Sequence, residues 1–146
     1  MNRVRLVSSN PRYLKLEKEA KRVLEEALLI LRKKNFLLEV FLINDRQIRG
    51  LNREFRGKDV ATNVLSFEGV EAPEFIEVKK GRDKKFKSLG EIYLAPDYIL
   101  KKKQDFLKLA IHGLLHLFGY KHETKSDTIS MQKLEERIWA KTLLQD

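Results

Sequence analysis

LGEIYLAPDYILKKKQDFLKLAIHGLLHLFGYKH, residues 89–122, changes its hydrophobic period once, and that change sets the fold. Residues 89–94 form a short apolar run of the kind that fills a strand. Pro96-Asp97 then opens helical sequence, because proline at the first helical position gives up only an N–H that the helix leaves unused. The helical pattern runs to Gly119, with a break near Lys103. A strand therefore feeds helices near the C-terminal end of the chain.

Working outward, residues 3–8 alternate around Val4 and Leu6 as a short strand, and Leu16, Ala20, Val23, Leu24, Ala27, Leu28 and Leu31 recur at helical spacing. Residues 36–43 are β-rich, and Asp45 is placed to cap a helix that carries Ile48, Leu51 and Phe55 and closes at Gly57. Residues 63–67 and 75–78 read as further strands, with a polar loop over 79–88. A last helix from about Asp127 presents Ile129, Leu134, Ile138 and Leu143. The order β-α-β-α-β-β-α-α, which leaves the short run 75–78 uncounted, predicts one α+β domain over residues 1–146, a small mixed sheet with packed helices.

Composition narrows the chemistry. The 146 residues include no cysteine, which excludes disulfide scaffolds, Cys-ligated zinc, iron–sulfur clusters and thiol catalysis. Any metal must be held by His or carboxylate. The longest purely apolar run, residues 27–31, is far short of the roughly 20 residues that span a bilayer, and the first residues, MNRVRLVSSN, lack a signal-peptide apolar stretch. The expectation is a cytoplasmic protein without membrane association. The formal charge of +9 favours polyanionic partners, and residues 79–108 carry +6 of it. Lys79, Lys80, Arg82, Lys84 and Lys85 are the densest part and are candidate RNA contacts, with Phe86 beside them to stack on a base. A solvated basic loop is the plainer alternative.

All three histidines fall within residues 112–122. His112 and His116 stand one helical turn apart, so both imidazoles leave the same face, and a left-handed residue at Gly119 lets the chain turn His122 back towards them. Three His ligands with a fourth place for water is the arrangement of a catalytic zinc, whereas a structural zinc is normally closed by four protein ligands. The alternative is two packed core histidines and one on the surface. The spacing matches the metzincin pattern H-E-x-x-H-x-x-G-x-x-H except at Gly113, which stands where zinc proteases keep their general base. Met131 downstream is a core methionine by its helical spacing rather than part of a Met-turn.

These residues resemble the YbeY family of bacterial zinc-dependent endoribonucleases, involved in ribosomal RNA maturation. HGLLHLFGYKH is similar to the family signature H-G-x-L-H-L-x-G-Y-D-H, with Lys121 in place of Asp. LNREFRGKDVATNVLSF, residues 51–67, resembles L-N-x-x-Y-R-x-x-D-x-x-T-D-V-L-S-F with Phe55 and Asn63 substituted, and LGEIYL resembles its L-G-D-I strand with Glu91 for Asp.

The resemblance implies one Zn2+ on His112, His116 and His122 plus water, with Arg56 and His112 in catalytic roles. It also implies a single-strand-preferring endoribonuclease that acts in ribosomal RNA processing and ribosome quality control, with RNA and the ribosome or its proteins as partners. Arg56 suits phosphodiester cleavage because a guanidinium holds two oxygens of a charge-rich transition state at once. Zinc replaces the missing glutamate by lowering the pKa of its water towards about 7. Lys121 loses the hydrogen-bond acceptor of the family's Asp but is suited to contact phosphate. The sequence does not choose a general base among Asp59, Glu91 and Glu123. Two other functions stay open at this point: a zinc hydrolase of peptide or ester bonds, and a non-enzymatic RNA- or ribosome-binding factor with a structural zinc.

Overall fold

A computed structural model describes residues 1–69, 86–121 and 123–143. Strand β1 (Arg3–Ser8) leads through a 3-10 turn at Pro11–Tyr13 into α1 (Leu14–Ile30), followed by β2 (Phe36–Leu42), α2 (Asp45–Arg56), β3 (Val64–Glu68) and β4 (Lys87–Leu94). Three helices follow among the described residues: α3 (Pro96–Lys101), α4 (Phe106–Leu117) and α5 (Lys125–Leu143). The strands form one mixed sheet in the order β1-β2-β4-β3; β1 and β4 run parallel to β2, and β3 lies antiparallel to β4 at an edge. This is the predicted small α+β fold. The strand expected at 75–78 lies outside the described residues.

Strand alternation divides the sheet into two apolar faces. Leu38, Val40, Leu42, Ile92 and Leu94 are fully buried under helices α1 and α4, against which α5 packs in turn. On α1 the buried set is Ala20, Val23, Leu24, Ala27 and Leu28, the stripe that its spacing predicts, and Leu16 and Leu31 pack at its margins. On the opposite face Phe41, Leu65, Phe67 and Tyr93 pack with Ile48 and Leu51 of α2, and the Phe41 and Tyr93 rings stack at 4.8 Å. Burying one such large side chain contributes about 1.5–3 kcal/mol, so the sheet is held from both sides.

Local signals fix the element ends. The cap of α2 is Asn44 rather than Asp45: Asn44 accepts from Gln47 N at 2.8 Å, and the Gln47 side chain accepts from Asn44 N at 3.0 Å, a reciprocal pair that Asp45, already inside the first turn, does not make. The break near Lys103 is real, since α3 ends at Lys101, Lys103 has a φ of 56°, and Asp105 starts α4 afresh by accepting from Lys108 N at 3.2 Å. In α5 the inward stripe is Met131, Leu134, Ile138 and Thr142, so Met131 is a core residue and Ile129, off that stripe, is 43% exposed. Gly90 explains the glycine of LGEIYL. The β2–β4 register shifts beside it, its φ is 141°, and a Cβ there would stand 2.3 Å from Phe67 O.

Among the described residues, no helix is long and apolar enough to cross a membrane.

Candidate metal centre

Helix α4 buries Ala110, Ile111, Gly113, Leu114, Leu115 and Leu117 and leaves His112 and His116 half-buried on one side. Their rings meet edge to face at 4.5 Å, with His112 Nε2 and His116 Nε2 2.9 Å apart. Two nitrogens on one tetrahedral ion, with metal–nitrogen bonds of about 2.0–2.1 Å, stand about 3.3 Å apart. The pair is therefore a few tenths of an ångström from the separation that a shared ion requires, and two imidazole nitrogens are a donor set that suits zinc and other late divalent metals. After α4, Gly119 adopts a φ of 89°, as its place in the motif predicts. His122, the third predicted ligand, lies outside the described residues, and among those described no group of three or more His, Cys, Asp or Glu comes together as a metal cage.

One partner of the pair was not foreseen. His112 Nδ1 lies 2.5 Å from Glu135 Oε1 of α5, within hydrogen-bond distance. Sequence reasoning passed over Glu135 because an acid on a C-terminal helix reads as solvated surface. The available signal was its place at the flank of the buried stripe, beside Leu134 and one turn after Met131.

Gly113 has a steric cause. A Cβ there would lie 3.1 Å from Ile92 Cγ2 and from Ser66 Oγ, and 3.3 Å from Val64 Cγ2, because α4 presses directly on β3 and β4. The position that holds a glutamate in zinc proteases therefore faces the sheet, with no room for a carboxylate arm. Ser66 Oγ instead donates to Gly113 O at 3.0 Å.

The same edge strand receives Arg56. From the last turn of α2 its Nη2 donates to Ser66 O at 3.1 Å and its Nη1 to Phe55 O at 3.4 Å, while the guanidinium carbon lies 4.7 Å from the centre of the Phe67 ring. Arg56 thus meets edge strand β3 at the Ser66 carbonyl, and the Ser66 hydroxyl bonds the backbone of α4 beside His112, so one edge residue links the guanidinium to the helix that carries the histidines. Two of the five guanidinium N–H groups are used in these bonds.

The candidate bases separate clearly. Glu91 is buried on the α2 face, where Tyr93 Oη donates to it at 2.6 Å, whereas the neighbouring Ile92 points to α4. The sheet stands between Glu91 and the histidines. Burial, reinforced by the Glu91 carboxylate, pushes the Tyr93 hydroxyl far above its ordinary pKa. Asp59 is engaged by Arg49 through Nε at 2.9 Å and Nη2 at 3.3 Å, and this pairing holds its carboxyl below the usual range. That makes Asp59 a poor proton acceptor. Glu123 is exposed, as is Lys121.

Asn63 accepts from Val64 N at 2.7 Å and donates to Gln104 Oε1 at 3.1 Å, tying β3 to the segment between α3 and α4. Phe86 carries the Arg3 guanidinium over its ring at 5.0 Å. Lys79, Lys80, Arg82, Lys84 and Lys85 lie outside the described residues.

The family model described as Endoribonuclease YbeY matches residues 7–143. A Neorickettsia sennetsu protein named Endoribonuclease YbeY is 33% identical over 145 residues, covering 93% of this chain and 94% of that one. A Rhodopseudomonas palustris protein of the same name is 40% identical over 111 residues, covering 70% of this chain but only 56% of that relative. A solution structure of a Thermotoga maritima protein covers 97% of this chain and 91% of its own, at 28% identity and a TM-score of 0.54.

Proposed function

The chain belongs to the Endoribonuclease YbeY family, and from that premise we propose that it is a metal-dependent endoribonuclease that cuts single-stranded ribosomal RNA during its processing. The observation that carries the reading is the meeting of His112 Nε2 and His116 Nε2 at 2.9 Å on one side of α4, beside the strand that Arg56 grips. His112 and His116 would hold the ion, with His122 as the third ligand and zinc as the metal. When bound, the ion supplies Lewis-acid activation of the phosphodiester and of the attacking oxygen.

The chain's own residues do the rest. Arg56, braced by the Ser66 and Phe55 carbonyls, offers its remaining N–H groups to the phosphate oxygens on which charge builds up in the transition state. Ser66 and Gly113 fix the height of α4 over β3, and so the distance from the histidines to that guanidinium. Lys121 and the basic residues 79–85 add positive charge for the backbone of a single strand. Ribosome quality control and a ribosomal partner extend this reading, and a cytoplasmic place agrees with it.

A peptidase is the weaker reading. Its general base has no position at Gly113, and Glu91 faces the other side of the sheet. The test is cleavage of a ribosomal RNA fragment by wild type, His116→Ala and Arg56→Ala, with an unfolded protein substrate in parallel. RNA cleavage lost in both variants supports the proposal. Equal cleavage by His116→Ala overturns it, as does proteolysis without RNA cleavage. RNA binding that survives metal removal without any cleavage would favour the scaffold role.

A further inference from the structure

Helix α5 is held against α1 and α4 by Met131 and Ile138, 2% and 0% exposed, with Leu134 packed beside them. Glu135 follows Leu134, lies one turn from both Met131 and Ile138, and projects from the flank of that stripe towards α4. Its Oε1 lies 2.5 Å from His112 Nδ1, and the two side chains are only 28% and 27% exposed. A Lys108 ammonium 5.4 Å from the centre of the Trp139 ring adds a second tie between the same helices, one turn away on each.

We infer that Glu135 is the positioning residue of the candidate metal centre: it fixes the His112 ring and its tautomer so that the Nε2 lone pair faces His116. The inference rests on the proposal that His112 is a metal ligand. An ionised carboxylate only accepts, so the proton of a neutral His112 ring stays on Nδ1 and Nε2 is left bare. His116 Nε2 then donates across the 2.9 Å gap in the metal-free protein. Without Glu135, either nitrogen of His112 can carry the proton and the ring can turn about its side-chain bonds, so part of the population presents N–H where a ligand is needed. A ligand histidine held through its other nitrogen by a carboxylate gains orientation and basicity, and loss of such a partner typically lowers metal affinity about 10–100-fold.

The test compares wild type with Glu135→Ala, Glu135→Gln and His116→Ala. Zinc affinity is measured by competition with a chromophoric chelator, and the His112 tautomer by nitrogen-15 NMR of the metal-free protein. Glu135→Ala is expected to bind zinc about 10–100-fold more weakly and to show mixed His112 tautomers. Glu135→Gln, which keeps an acceptor oxygen, is expected to recover the Nδ1–H tautomer and most of the affinity. A merely structural Glu135 would lower the thermal midpoint without moving the tautomer. Wild-type tautomer and affinity in Glu135→Ala, beside a His116→Ala variant that has lost zinc, overturn this inference alone. Wild-type zinc affinity in His116→Ala overturns the metal centre itself, and the positioning role with it.

Discussion

Replacing Gly113 by alanine puts two opposing effects on one atom. In a helix interior alanine is favoured over glycine by about 0.8–1.0 kcal/mol. The new methyl, however, would stand 3.1 Å from Ile92 Cγ2 and Ser66 Oγ and 3.3 Å from Val64 Cγ2, all tighter than ordinary van der Waals contact. Ile92 is fully buried, and β-branched side chains such as Ile92 and Val64 have little rotamer freedom, so the helix rather than its neighbours must move. Overpacking of this kind costs about 1–3 kcal/mol. Lifting α4 also stretches the 3.0 Å bond from Ser66 Oγ to Gly113 O, whose net contribution is about 1 kcal/mol. Packing therefore outweighs propensity, and Gly113→Ala is expected to lose about 1–3 kcal/mol in urea unfolding, with the midpoint of thermal unfolding lowered by several degrees. His112 follows Gly113's backbone, so zinc affinity should fall as well. A variant as stable as wild type, or more so, would show that α4 is not seated on β3 as described, and the steric account of the missing glutamate would fail.

Arg56→Lys keeps the charge but loses the planar fork, and it is expected to slow RNA cleavage by roughly 10–100-fold while urea stability stays within about 0.5 kcal/mol of wild type. Tyr93→Phe removes the hydroxyl that donates to buried Glu91 at 2.6 Å and should cost about 1–3 kcal/mol of unfolding free energy. The raised pKa of Tyr93 also has a signed consequence. The folded protein holds the phenolic proton more tightly than the unfolded chain does, so the contribution of Tyr93 is complete below about pH 10 and declines above it. Ultraviolet titration should show Tyr93 unionised until the protein unfolds. Asp59 has the opposite sign: Arg49 depresses its folded pKa, so its stabilisation is present above the unfolded carboxylate pKa and fades as pH falls through the lower folded value. Denaturation of wild type and Asp59→Asn should therefore converge in acid, and a constant difference down to pH 2 would contradict the pairing.

The fold was legible wherever a period or a cap lies within one stretch of chain. The α1 stripe, the stop at Gly119 and the break before Asp105 follow from spacing alone, because each depends on neighbours in sequence. Asn44 and Asp45 both have capping side chains, and only the reciprocal partner Gln47 separates them. Ile129 was drawn inward by its hydrophobicity, but α5 turns Met131 to the core, and which face wins is a tertiary matter. The site divides the same way. The convergence of His112 and His116 is a property of one helical turn. Glu135, by contrast, meets His112 only through the packing of two helices 23 residues apart at that contact, and Glu91 was set aside as a base only when strand alternation placed the sheet between it and α4.

The most direct test of the account is the recovery of ribosomal RNA cleavage as zinc is titrated into metal-stripped protein. The account predicts no cleavage without the ion, recovery complete near one equivalent per chain, and none at any zinc concentration in His116→Ala at the same protein level. Cleavage undiminished by stripping, or restored equally in His116→Ala, would contradict it.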